Sequence, residues 1–148
     1  MTGESCAGKD FCADIWASTL SICLQNSRRV RVLSISDAIK LEYARAIGAD
    51  LERLLCDRGY KEQHRQALTA YFLGQVEKQH NYPQENFLKL VHDNAGVDVL
   101  FVTGMREHAP VAAVAHLVPD TRVDEIRVQS NESVRQSCGA KTRNLGYR

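Results

Sequence analysis

Between Lys9 and Leu24 the apolar residues Phe11, Cys12, Ile15, Trp16, Leu20 and Leu24 recur at three- and four-residue steps. That period predicts a helix with one buried face, on which Trp16 reads as core. Residues 30–35 form a short β-branched run and read as a strand. Ser36 and Asp37 can cap a helix reaching about Ile47, which Gly48 ends. A short helix over residues 51–55 follows, then a long one from Tyr60 to about His80. Asn81-Tyr82-Pro83 opens another, with proline near its first turn, and Gly96 closes it. Residues 97–102 are the most strand-like run, nearly continuous and β-branched, as a strand buried on both faces should be. After Gly104, residues 105–117 read as helix, and residues 121–128 alternate polar and apolar as a last strand. The stretch after Ser130 is polar, with a helical pattern only at residues 133–136. Strands alternating with helices predict an α/β fold with a parallel sheet covered by helices.

Composition narrows the class. A chain of 148 residues with 44% hydrophobic and 25% charged positions fits one globular domain and excludes a largely disordered one. With 19 Lys+Arg against 18 Asp+Glu, the net charge of +1 predicts neither a nucleic-acid nor a membrane partner. Most of the cations are Arg, whose forked guanidinium suits an anionic ligand. Arg28, Arg29 and Arg31 cluster without interleaved aromatics and read as a solvated edge. The five cysteines are odd in number and contain no CxxC pair, so they read as free thiols, not a disulfide framework or zinc site. His64, His80, His92, His108 and His116 form no metal pattern and read as surface residues. Asp98 and Asp124 read as solvated acids at strand ends. Neither an apolar leader nor an apolar run of about 18 residues is present, so the expected location is cytoplasmic.

The chemistry-bearing motif is Gly3-Glu4-Ser5-Cys6-Ala7-Gly8-Lys9-Asp10. It fits GxxxxGK, the phosphate-binding loop, with Asp10 where Ser or Thr is usual. Glycines let the backbone curl so that successive N–H groups face one anion, and the following helix turns its N-terminus to the same point. In such a loop Gly3, Ser5, Cys6, Ala7 and Gly8 cradle nucleotide phosphates. Lys9 bridges the β- and γ-phosphates of ATP, and Asp10 takes the Mg²⁺-binding place. Cys6 is either a reactive thiol lowered by the helix N-terminus or a small residue that fits a tight loop. Only Met1 and Thr2 stand before Gly3, where a phosphate loop has a buried strand.

Three further runs extend this motif: Gly8-Lys9-Asp10-Phe11, then residues 33–44 with Ile39-Lys40-Leu41-Glu42-Tyr43-Ala44, then Tyr60-Lys61-Glu62-Gln63-His64-Arg65. In this order and spacing the chain resembles the animal-type phosphomevalonate kinases over roughly residues 3–139. The resemblance implies a three-layer P-loop kinase-like domain of the nucleoside-monophosphate-kinase type. It would be an ATP-dependent phosphotransferase that moves the γ-phosphate to a small phosphorylated acceptor, by positioning and charge neutralisation. It implies one domain over 1–148, with residues 1–10 as phosphate loop, 37–94 as helical acceptor region and 130–148 as lid and tail. Lys9, Arg106 and Arg135 would be catalytic, and Lys40, Tyr43, Lys61 and Arg65 would lie on the acceptor side. ATP and Mg²⁺ are the implied cofactors.

The sequence departs from that family at definite places. Its loop carries Glu4, Ser5 and Cys6 where the family has several basic residues. Gly104-Met105-Arg106-Glu107 stands for an Asp-Thr-Arg-Arg segment, and Cys138 for a second lid arginine. Two functions follow: a phosphotransferase for a phosphorylated acceptor such as a nucleotide, or a catalytically degenerate nucleotide-binding or interaction module within a larger multi-domain protein. The resemblance also implies a strand before Gly3 and a strand and helix after the lid. The sheet is therefore expected to be completed by flanking segments or by a second copy in a homo-oligomer.

Overall fold

The computed structural model describes residues 1–4, 6–25, 27–105 and 111–137, with nothing to report of the side chains of Ala112 and Ala113. Helix α1 (Lys9–Cys23) leads to strand β1 (Val30–Ser34). Then come α2 (Ile35–Ile47), α3 (Leu51–Cys56), α4 (Arg58–Lys78) and α5 (Tyr82–His92), and after them β2 (Val99–Thr103). Short helices α6 (Val111–Ala115) and α7 (Glu132–Ser137) finish the described elements. The expected α/β class is present as a small parallel sheet flanked by helices. β1 and β2 pair in register from Val30↔Val99 to Ser34↔Thr103. Two parallel strands need a long crossover, and α2 to α5 supply it. No helix among the described residues is long and apolar enough to cross a membrane.

Local chemistry sets the helix ends. Gly48, in the left-handed conformation at φ 72, stops α2, as expected. Asp50 caps α3 by accepting the Arg53 N–H, and Asp57 caps α4 by accepting the Tyr60 N–H at 3.0 Å. Pro83 lies in the first turn of α5. Tyr43 and Ala44 of α2 and Leu54 of α3 form a buried cluster, against which Leu51, Tyr60, Leu68 and Tyr71 pack. Across the sheet entrance the Asp98 carboxylate accepts the Arg29 N–H at 2.8 Å and pairs with Arg28 at 3.1 Å. Asp98 is thus a clamp between the strand starts as well as a solvated acid. Arg31 donates to Asn94 Oδ1 at 2.7 Å.

Three expectations change. The apolar face of α1 is largely open: only Ala13 is buried, and Trp16 is 51% exposed, so Trp16 is not core. Residues 121–128 form no strand; among the described residues their pairing is one parallel bridge, Thr2↔Arg127. Of the helix expected over 105–117, Val111–Ala115 is helical as α6, Met105, His116 and Leu117 are not, and residues 106–110 lie outside the described residues. Met1 and Thr2 lie between β2 and residues 126–128. The Met1 ammonium donates to Val102 O, Thr2 N–H donates to Ile126 O and Val128 N–H donates to Thr2 O.

Candidate functional site

The loop between Thr2 and α1 is built by unusual backbone angles. Gly3, Cys6 and Gly8 all have positive φ, at 140°, 60° and 86°. At Gly3 a side chain has no room, because its Cβ would lie 2.3 Å from Val128 O. Gly8 is the N-cap of α1, and no side chain caps this end. The end of the helix dipole therefore stays available to an anion. Lys9 curls back over the loop, with Nζ donating to Gly3 O at 2.9 Å and Glu4 O at 2.6 Å. Its ammonium is thereby held over the loop backbone. Ala7 is buried, Cys6 is half-buried and Asp10 is exposed in the first turn of α1. Ser5 lies outside the described residues.

Basic groups missing from the loop's own sequence are brought to it by other elements. Arg135 of α7 forms an ion pair with Glu4, and its Nε is buried without a hydrogen-bond partner. Arg58, at the start of α4, places Nη2 4.0 Å from Cys6 Sγ. Between the loop and residues 128–134 lies a cleft of about 600 Å³, lined by Glu4, Ala7, Val128, Asn131 and Val134 among others. That is within the size range of small-molecule sites.

The residues expected on the acceptor side separate into a charged group, Lys40, Lys61 and Arg65, and Tyr43 in the core. Lys40 is buried, and its Nζ meets Asp37 Oδ1 at 2.6 Å, which offsets part of the cost of burying an ammonium. Burial pushes the Lys61 ammonium below its ordinary value, and the charges of Lys40 and Arg65 push the same way against Asp37 and Asp10. Lys61 of α4 thus feels charges from α1, from α2 and from its own helix in one electrostatic neighbourhood. Its crowded cations make it attractive to an anion. Arg65 pairs with Glu62 at 2.6 Å. Tyr43 belongs to the core: it is 3% exposed, stacks edge-on with Tyr71, and shares a 2.9 Å hydrogen bond with His64 Nδ1. His64 is therefore not a surface histidine, since its ring also packs 4.4 Å from the Tyr60 ring.

Sequence reasoning missed Arg58 and the Glu4–Arg135 pair. Arg58 carried a usable signal: Arg58, Lys61 and Arg65 are spaced i, i+3 and i+7, one face of a helix. The Glu4–Arg135 pair carried none, because it spans almost the whole chain. Arg106, Glu107 and Cys138 lie outside the described residues. No group of three or more metal-binding side chains occurs among the described residues. Asp10 alone fits Mg²⁺ in the manner of nucleotide enzymes, where one carboxylate joins phosphate oxygens and water.

Over residues 1–120, which include the loop, the helical region and β2, the chain matches the family described as phosphomevalonate kinase. No curated protein and no solved structure matches the chain.

Proposed function

We propose that this chain, which belongs to the phosphomevalonate kinase family, is an ATP-dependent phosphotransferase with a P-loop kinase-like fold and a small phosphorylated acceptor. The family makes a kinase-like function the coarse expectation. The finer reading is carried by one observation: the Lys9 ammonium sits on the carbonyls of Gly3 and Glu4 at the uncapped end of α1.

In this reading an acceptor phosphate oxygen attacks the γ-phosphorus of ATP, the bond to the β-phosphate oxygen breaks, and ADP leaves with the electron pair. Two anions must approach each other, so the chain's main work is to offset repulsion. The loop amides of Gly3, Ser5, Cys6, Ala7 and Gly8, with Lys9, hold the ATP phosphates. Lys40, Lys61 and Arg65 draw in the acceptor, while Tyr43 braces α2 against α4 from the core. Arg106 and Arg135 neutralise charge that builds during transfer. Asp10 would hold Mg²⁺, which supplies charge neutralisation at the phosphates. The 600 Å³ cleft beside Glu4 and Ala7 is the space for the rest of the nucleotide.

The Glu4–Arg135 pair favours a second reading, a nucleotide-binding or interaction module that has lost catalysis. It puts a carboxylate in the loop and engages the arginine that the transfer needs. One experiment separates the two. The protein is incubated with ATP, Mg²⁺ and 5-phosphomevalonate or a panel of nucleoside monophosphates, and ADP is measured beside ATP binding by calorimetry. The kinase reading expects acceptor-dependent ADP that falls about a hundredfold or more in Lys9→Ala. ATP binding without turnover supports the module. The absence of both binding and turnover overturns the kinase and the nucleotide-binding module and favours an interaction module.

A further inference from the structure

Arg58 is the first residue of α4, directly after its Asp57 cap. A cation at that end of a helix opposes the helix dipole. Helix formation therefore gives no reason for an arginine there. Its neighbours on α3 and α4 are tied to carboxylates: Arg53 pairs with Asp57 at 3.0 Å and Arg65 with Glu62 at 2.6 Å. Among the described residues, the partner of Arg58 is Cys6 Sγ, 4.0 Å from Nη2, and a thiol is a weak acceptor. The exposed guanidinium thus lies against the loop with most of its donors unspent.

Charge at the loop calls for such a group. Glu4 brings a carboxylate into the loop, and Arg135 is paired with it, so the two add no net charge. Asp10 likewise balances Lys9 beside it in formal charge. A nucleoside triphosphate entering next to Gly8 meets little net positive charge from these groups, and repulsion between its own oxygens stays unanswered. Arg58 brings a cation from α4.

The course of α4 says which end of the triphosphate Arg58 meets. Arg58, Lys61 and Arg65 follow one helix face, with about 10 Å of rise from first to last. Lys61 feels the charge of Asp10 in α1 and of Lys40 and Asp37 in α2. The row therefore starts against the loop and runs toward the acceptor-side lysine of α2. We propose that Arg58 is a catalytic residue that binds the terminal phosphate of ATP on the acceptor-facing side of the loop. This assignment rests on the kinase reading. The forked guanidinium suits the task, because it takes two phosphate oxygens at once. During transfer the acceptor oxygen bonds to the γ-phosphorus, the bond to the β-phosphate oxygen breaks, and ADP leaves with the electron pair. Arg58 offsets the charge of the two phosphates and neither gives nor takes a proton.

ATP and ADP binding in the presence of Mg²⁺ is measured by calorimetry for the wild type, Arg58→Ala and Arg58→Lys, beside ADP release with 5-phosphomevalonate or the nucleoside monophosphates as acceptor. Arg58→Ala is expected to bind ATP about tenfold more weakly, to bind ADP within about twofold of the wild type, and to lose about a hundredfold in turnover. Arg58→Lys recovers part of both losses. Arg58→Ala melts no lower than the wild type, because the cation does not serve the helix. Equal weakening of ATP and ADP overturns the placement at the terminal phosphate. A fall in Tm that accounts for the lost activity overturns it in favour of a structural role. Unchanged ATP binding and turnover in Arg58→Ala, with Lys9→Ala inactive, overturns this proposal alone and leaves the kinase reading standing. A wild type without turnover overturns both.

Discussion

Helices α2 to α5 and the sheet margin around Met1 face the same task of hiding apolar surface, with opposite results. In the helical region Leu54 is fully buried and Tyr43 is 3% exposed, with rings from α4 stacked against it. At the sheet margin Ile15 and Trp16 stand half in water, and of β2 only Thr103 is buried. The difference lies in where backbone bonds are made. A helix satisfies its own N–H and C=O groups, so four helices can complete a core from one stretch of sequence. A strand must find its partners in another segment.

Truncation at the two places should therefore differ most. Leu54→Ala should lose about 2–5 kcal/mol in urea unfolding, because a filled core is emptied. Ile15→Ala should lose about 1 kcal/mol or less, because much of that side chain is already hydrated. A larger loss at Ile15 than at Leu54 would break the contrast.

A smaller effect tests how tightly the helical region is closed. Tyr82 of α5 donates to the Glu42 carboxylate of α2, and burial, followed by that bond, raises its phenol to about 12. Tyr82→Phe should cost about 1–2 kcal/mol, since a half-buried carboxylate loses its donor. The same change should remove one late-titrating phenol from the alkaline absorbance curve. An unchanged curve would place that phenol elsewhere.

The smallest effect concerns a helix end. The Tyr60 N–H, then Arg53, hold the Asp57 carboxyl below its ordinary value. A depressed folded value means that its contribution is present at neutral pH and fades as pH falls through the folded value. Asp57→Ala should lower Tm slightly at pH 7, and the gap from the wild type should shrink on acidification. A gap that widens in acid would reverse the assignment.

Elements whose signal is local were legible in the sequence. The period of α1, the β-branched runs of β1 and β2 and the glycine after α2 each rest on neighbours within a few positions. Burial was not legible, because it depends on what lies across the sheet. Trp16 has a core pattern, yet it stands 51% exposed. Residues 121–128 alternate like a strand but have Thr2 as their bridge partner. At the site, GxxxxGK spacing located the loop, and the resemblance brought Lys40 and Lys61 to one neighbourhood. The resemblance placed Tyr43 on the acceptor side, and no local signal showed that its hydroxyl shares a hydrogen bond with His64 in the core. Glu4 read as a loss of charge at the loop, whereas Arg135 and Arg58 return cations from α7 and α4.

Gly3 has a mechanical consequence. Thr2 is bonded on both sides of Arg127, and Gly3 lies so close to Val128 that even a methyl group would collide. The strand stub and the arm that ends in α7 are thus bolted together with no slack. The bolt lies next to the two carbonyls that hold Lys9, and the arm beyond it carries Arg135. The loop and the α7 arm thus share one tight contact at residue 3, with the Lys9 ammonium on one side of it and Arg135 on the other.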